Sequence, residues 1–231
     1  IGGGWGSLAI HLAKNYGVRV VNIGVSKEQI KMADELTARE NIPPVDGKPA
    51  VENRFLKYQD IDPHEKFDRV VSVGMFEQVT DDYYKSFMQT VNSVLKDDGI
   101  FLLHTIGTPV PPKGNPETWI NKRIFPNGQI PGFNNVAKST EKIFDIRDWH
   151  IFPNSYYDKT LMAWFENFEK SWDKLKGKYG DPTKPDGKGE FYRMWKFYLL
   201  SCAGLFRGGY LQLWQITMTK HGLPNEYKSV R

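Results

Sequence analysis

Four glycines crowd the first six residues, in the run Gly2-Gly3-Gly4-Trp5-Gly6, and such a run can bind a ligand through its backbone. Glycines at 2, 4 and 6 permit positive φ and let a ligand approach the main chain closely. A dinucleotide site asks for G-x-G-x-x-G, whose third glycine would fall on Ser7. The shorter spacing favours S-adenosylmethionine, whose amino acid and sulfonium need contact but carry no diphosphate. A tight turn would use the same glycines, so the surrounding elements have to decide. Three further polar positions follow β-rich runs: Ser26 with Gln29 after 18–23, Glu77 after 70–73, and His104 after 101–103. A carboxylate and an imidazole can hold or move protons. Taken singly, His104 suits a hydrogen-bonded structural histidine and Glu77 a carboxylate near a helix start. Gly24 stands where an acidic residue usually closes the second strand to hold ribose hydroxyls, so Ser26 and Gln29 are expected to substitute. His11, His64, His150 and His221 are assigned structural or surface places.

The elements that must position these residues alternate. Leu8, Ala9, Leu12 and Ala13 recur at helical spacing until Gly17. A strand at 18–23 leads to Ser26, an N-cap for a helix through Ile30, Ala33 and Leu36. The Pro/Gly-rich run 43–49 is a connection. Strands are expected at 51–56, 68–73 and 100–103, with a helix over 83–95 between the last two. Strands alternating with helices imply a doubly wound α/β sheet, in which pockets open at the carboxyl ends of the strands. A four-proline loop covers 108–116. Helices over 161–176 and 190–206 flank a connector at 177–189, and 210–218 alternates as a last strand. No internal repeat is visible, and no point where a second core begins. One domain over 1–231 is the expectation.

Composition narrows the class. The chain has 231 residues, 40% hydrophobic, 14% aromatic and 25% charged, with a net charge of +4. That excludes a disordered or collagen-like chain and supplies enough residues for a core. Cys202 is the only cysteine, so no intramolecular disulfide or Cys-pair metal site can form, and a reducing compartment is the simplest setting. No metal site is expected. The apolar runs fall well short of the roughly 20 residues of a membrane-spanning helix. The chain opens on Ile1 rather than Met and enters the glycine loop at once, so a segment is expected upstream.

Four blocks carry a specific resemblance: 71–77 (VSVGMFE), 101–107 (FLLHTIG), 119–128 (WINKRIFPNG) and 157–164 (YDKTLMAW). Together with Phe206-Arg207 and Leu213-Trp214-Gln215, they resemble the cyclopropane-fatty-acyl-phospholipid synthases over nearly the whole chain, with mycolic acid cyclopropane synthases as the sister group. The resemblance implies a class I S-adenosylmethionine-dependent methyltransferase fold, a Rossmann-like sheet that is mostly parallel with an antiparallel last strand and helical insertions over a lipid site. It implies passage of the sulfonium methyl to a cis double bond of a phospholipid acyl chain. The resulting carbocation closes to a ring on loss of a proton to bound bicarbonate. Carried over by position, Glu77, His104, Ile106 and Tyr157 are the bicarbonate ligands, Ile106 through its backbone. Gly2, Gly4, Trp5, Gly6, Ser26 and Gln29 are the cofactor residues, and the adenine contact falls at 57–60, assigned to Tyr58. Gln78 and Gly3 depart from a common histidine and a common cysteine. The family's N-terminal segment, with its active-site cysteine, and most of the first strand are expected upstream of Ile1.

Seven basic residues against three acidic ones lie between Lys174 and Lys196. Phe191, Met194, Trp195, Tyr198, Cys202 and Phe206 make an apolar stripe at helical spacing, which suits a core-facing helix or a membrane-inserting one. The expected partners are unsaturated phospholipid acyl chains at a membrane surface, met from the cytoplasmic side and peripheral to the inner membrane, and a homodimer is a possible assembly. Nucleic acid is not an expected partner, because no recognition motif is present. A related methyltransferase on an amine or another lipid, and an inactive binding remnant, are the competing readings.

Overall fold

The computed structural model describes residues 1–110, 118–222 and 227–229. Its elements are α1 (Ser7–Tyr16), β1 (Val20–Gly24), α2 (Lys27–Arg39), β2 (Val51–Phe55), β3 (Phe67–Val73), α3 (Asp81–Val94) and β4 (Leu95–Gly107), followed by α4 (Trp119–Arg123), α5 (Phe133–Thr140), β5 (Asp145–Ile151), α6 (Asn154–Tyr179), α7 (Glu190–Arg207) and β6 (Gln212–Thr219). Short 3-10 turns, Tyr58–Asp60 and Phe76–Gln78, follow β2 and β3.

Local chemistry sets most boundaries. α1 stops at Gly17, left-handed at φ 62°, whose N–H donates to the Ala13 carbonyl. α2 begins at Ser26, whose hydroxyl oxygen accepts from the Gln29 N–H at 3.2 Å. α3 buries Tyr84, Phe87, Met88 and Val91, one face at helical spacing. β4 is longer than its apolar run suggests. It starts at Leu95 and slips register against β3 between Phe67 and Arg69, which leaves the exposed Lys96-Asp97-Asp98 outside regular pairing. Gly99 is needed there, because a Cβ would come within 2.6 Å of the Leu95 side chain.

β1 pairs parallel with β2, and β3 pairs parallel with β4. Pairing divides the described strands into a β1-β2 sheet and a β3-β4-β6-β5 sheet. The first residues of the chain lie between the two. The Ile1 nitrogen donates to the Val71 carbonyl at 2.7 Å, and the Gly2 and Gly3 N–H groups donate to the Ile23 carbonyl at 3.0 and 3.1 Å.

The chain also parts into two compact units, although no second core shows in the sequence. The first comprises residues 1–105, 134–149 and 215–231. In it Ala9 and Ala13 of α1 pack with Ala50 and Val51, and the Tyr84, Phe76, Phe87, Phe101 and Phe144 rings form a buried chain. The second comprises 106–133 and 150–214. Its core joins α6 and α7 through Leu161, Leu199, Cys202, Ala203 and Phe206. The later part of the α7 stripe, Tyr198, Cys202 and Phe206, therefore faces inward, and burial pushes the Cys202 thiol up to about 11, which keeps it protonated and inert. The Trp172 indole N–H donates to the Asp186 carbonyl at 3.0 Å and ties the connector to α6.

Three elements have no counterpart in the sequence reading: α4, α5 and β5. β5 lies at the sheet edge, where charged residues such as Asp145, Arg147 and Asp148 are tolerated and blur the apolar alternation. α6 begins at Asn154, seven residues before the periodic stretch that announces it. Residues 111–116 of the proline-rich loop lie outside the described residues.

Candidate active site

The glycine loop sits where the carboxyl ends of β1 and β3 meet the chain start. Gly2, Gly4 and Gly6 all hold positive φ, at 72°, 55° and 83°. Each neighbouring position is packed from below. A Cβ at Gly2 would come within 2.6 Å of Met75, one at Gly6 within 2.8 Å of Ala33 on α2, and one at Gly3 would overlap the Asn22 side-chain amide. At Gly4 nothing lies within 4 Å, so the loop presents bare backbone to open space there. Trp5 beside it is 52% exposed. A cradle of this form suits a ligand that must approach the main chain.

Beneath the loop lies a polar chain that sequence reasoning missed. Asn22, 4% exposed on β1, donates to Asn53 Oδ1 at 2.8 Å, and Asn53 donates to Asp34 at 2.9 Å. These bonds satisfy buried amides and fix the floor on which Gly3 rests. The only trace of it in the sequence is a pair of asparagines inside β-rich runs.

Ser26 and Gln29 follow β1 as expected. The Ser26 hydroxyl is already engaged, because it caps α2 and donates to the Glu28 carboxylate at 3.0 Å. Tyr58 follows β2, and its ring stands edge-on to Phe87 at 5.1 Å. Burial, with a smaller contribution from Tyr83, raises its phenol.

Glu77 occupies the 3-10 turn after β3, four residues ahead of α3, and is only 7% exposed. Phe76 anchors that turn by stacking on Tyr84 at 4.4 Å. Glu77 and Asp81 help burial to raise the Tyr84 phenol well above its usual range. His104 does not end its strand. β4 continues to Gly107, and His104 lies level with Val73, the last residue of β3. The Gly74 N–H, at φ 63°, donates to the His104 carbonyl at 2.9 Å and locks the two strand ends together. Burial lowers the imidazole's pKa, so the ring is neutral near pH 7. Gln215 on β6 sets its Nε2 amide 3.1 Å from His104 Nδ1. With that nitrogen donating, Nδ1 is the acceptor and the ring proton belongs on Nε2.

Ile106 and Tyr157 belong to the second unit, and both pack against its α6–α7 core. The Tyr157 ring lies on Phe206 at 4.5 Å and edge-on to Trp164 at 6.2 Å. One residue along each helix, Arg207 grips Asp158 with two bonds of 3.0 and 2.9 Å. That bidentate fork holds the start of α6 on the end of α7 and so positions Tyr157.

A family model described as mycolic acid cyclopropane synthetase matches residues 1–216. The chain belongs to that family. It is 41% identical over all 231 residues to the cyclopropane-fatty-acyl-phospholipid synthase of Escherichia coli strain K12, and covers 55% of that protein. The chain thus spans about half the length of that relative. Among solved structures, the cyclopropane synthase MmaA2 from Mycobacterium tuberculosis is similar at 26% identity and a TM-score of 0.78, over 95% of this chain and 76% of that one. A mycolic acid cyclopropane synthase, CmaA1, complexed with SAH and CTAB is similar at 26% identity and a TM-score of 0.77, over the same shares. The fold is the class I, Rossmann-like α/β fold of S-adenosylmethionine-dependent methyltransferases. The family's glycine loop, Glu77 turn and His104 strand all fall in the first unit, with Ile106 and Tyr157 in the second.

Proposed function

We propose that this chain transfers the methyl carbon of S-adenosylmethionine to a cis double bond of an unsaturated phospholipid acyl chain, giving a cyclopropane acyl chain. One observation carries the reading: a buried carboxylate, Glu77, just after β3, and a half-buried neutral imidazole, His104, level with the last residue of β3, stand in a chain 41% identical to a named synthase of this chemistry.

The cofactor residues fit their ligand. Backbone at Gly2, Gly4 and Gly6 takes up conformations that leave no Cβ in the way, and open space at Gly4 admits the methionine part. Trp5 offers an aromatic face to the sulfonium cation. Gln29, and Ser26 through its remaining lone pair, suit the ribose, and Tyr58 suits the adenine.

Bound S-adenosylmethionine supplies the electrophilic methyl, and bound bicarbonate supplies the base that takes the ring-closing proton. A negatively charged base against Glu77 is favourable only if the carboxylate accepts a hydrogen bond from it, and bicarbonate's O–H provides one. His104 through Nε2, Tyr157 through its phenol and Ile106 through its backbone N–H would hold its other oxygens. The setting proposed is the cytoplasm, peripheral to the inner membrane surface, where the acyl chains are. No helix among the described residues is long and apolar enough to cross a membrane.

Glu77→Gln should abolish ring formation while S-adenosylmethionine still binds by calorimetry. Turnover close to the unmodified chain's would remove Glu77 from the chemistry. A methyl or methylene branch in place of the ring, distinguished by proton NMR of the product lipid, would replace cyclopropanation with simple methyl addition.

A further inference from the structure

The block 119–128 is among the most specific in the sequence, yet the proposed chemistry uses none of it. Its place in the second unit suggests what it does. Thr118 caps α4, and the short helix sets Trp119 edge-on to Phe197 of α7 at 4.8 Å. Phe125 stands edge-on to Tyr198, the next residue of α7, at 5.8 Å. Trp119, Phe125 and Phe197 are nevertheless 38%, 42% and 53% exposed. Trp119 and Phe197 thus meet in one contact and both keep much of their surface in water, where isolated exposed residues would mean little. Phe197 lies outside the buried stripe of α7, being half-exposed where Cys202 and Phe206 are buried.

A groove of about 370 Å³ opens on this face, lined by Trp119, Arg123, Glu190, Arg193, Met194 and Phe197. Glu190 is held by Arg123 at 3.3 Å. Arg193 makes no ion pair within 4.0 Å among the described residues, and the exposed Lys196 follows three residues on. Asp181 is the acid that senses Arg193, and its carboxyl is held low chiefly by Thr183, with smaller effects from Lys184 and Arg193. The groove therefore pairs exposed aromatic rings with a guanidinium that has charge to spare. Aromatic rings favour the boundary between water and lipid, and a guanidinium there binds phosphate oxygens bidentately.

We propose that this face is the docking surface for an anionic phospholipid bilayer, with Phe197 and Trp119 entering the interface and Arg193 holding a lipid phosphodiester. It deepens the proposed function by naming where the lipid substrate is met, and rests on that reading for its biological sense. Charge complementarity chooses the occupant: the lining leaves one positive charge after Arg123 and Glu190 cancel, matching the single charge of a phosphodiester.

The test is flotation of the full chain with phosphatidylcholine vesicles, with and without phosphatidylglycerol, followed by circular dichroism to confirm folding. Removing one cation near an anionic surface is worth about a fivefold loss of binding. Arg193→Gln should lose about that on anionic vesicles and less on neutral ones, where the choline cation offsets the phosphodiester charge. Phe197→Ser should weaken binding to both. Tyr210→Ser, which removes a 71% exposed ring elsewhere in the same unit, should change neither. Unchanged binding by Arg193→Gln and Phe197→Ser, or an equal loss with Tyr210→Ser, would overturn the proposal. Retained cyclopropanation of detergent-dispersed lipid alongside unchanged vesicle binding would defeat the surface and spare the chemistry. Weakened vesicle binding by the variants without any methyl transfer would do the reverse.

Discussion

His104 shows how one residue's chemistry is set by neighbours that a sequence does not bring together. Gln215 is 111 positions away, yet its amide faces Nδ1 at 3.1 Å and assigns the proton to Nε2. Replacing Gln215 with Glu presents a carboxylate to Nδ1, which should draw the proton to that nitrogen. Nitrogen-15 NMR of the ring should show the Nε2–H tautomer in the unmodified chain and an Nδ1-protonated or doubly protonated ring in Gln215→Glu. An Nδ1–H tautomer in the unmodified chain would contradict the assignment. Burial also couples His104 to stability. Its folded pKa lies below the unfolded value of about 6.5, so the neutral ring favours folding above that pH and the benefit is lost as pH falls. Urea unfolding midpoints should therefore drop between about pH 7 and about pH 5, and drop less in His104→Gln. Glu77 and His104 were both legible as chemistry-bearing residues after β-rich runs. Gln215 was legible only as part of a motif, because its partner is fixed by the insertion of β6 beside β4.

At the scale of elements, the glycine loop and the cap of α2 are the parts whose geometry the sequence announces most clearly. Glycine permits their positive φ values, and a serine just before a helix predicts the Ser26 bond to Gln29. Ser26→Ala should cost about 1 kcal/mol in thermal or urea unfolding. What residue type hides is the floor. At Gly3, Asn22 occupies the space that a Cβ would need. Gly3→Ala should lower S-adenosylmethionine affinity measurably by calorimetry, and adding Asn22→Ala should restore part of it. No recovery in the double variant would remove steric conflict as the cause. α5 and β5 escaped the periodicity because a short polar helix and a charged edge strand carry weak apolar patterns.

For the whole molecule, the α/β alternation was readable, whereas the division into two compact units was not. The second unit is assembled from segments on both sides of α5 and β5, so its core residues are scattered through the chain. The α6–α7 pair is richer in aromatics than the rest of the chain, but that shift falls at Asn154 and not at Ile106, where the second unit starts. The same scatter explains why Tyr157 was assigned by resemblance alone. The central claim concerns the reaction proposed for this chain. The most direct test incubates the protein with S-adenosylmethionine and a monounsaturated phospholipid, and follows the acyl chain by mass spectrometry and proton NMR. The acyl chain should gain the mass of one CH₂, lose its olefinic protons and show the upfield methylene signal of a cyclopropane. An unchanged acyl mass under conditions where S-adenosylmethionine is bound would contradict it.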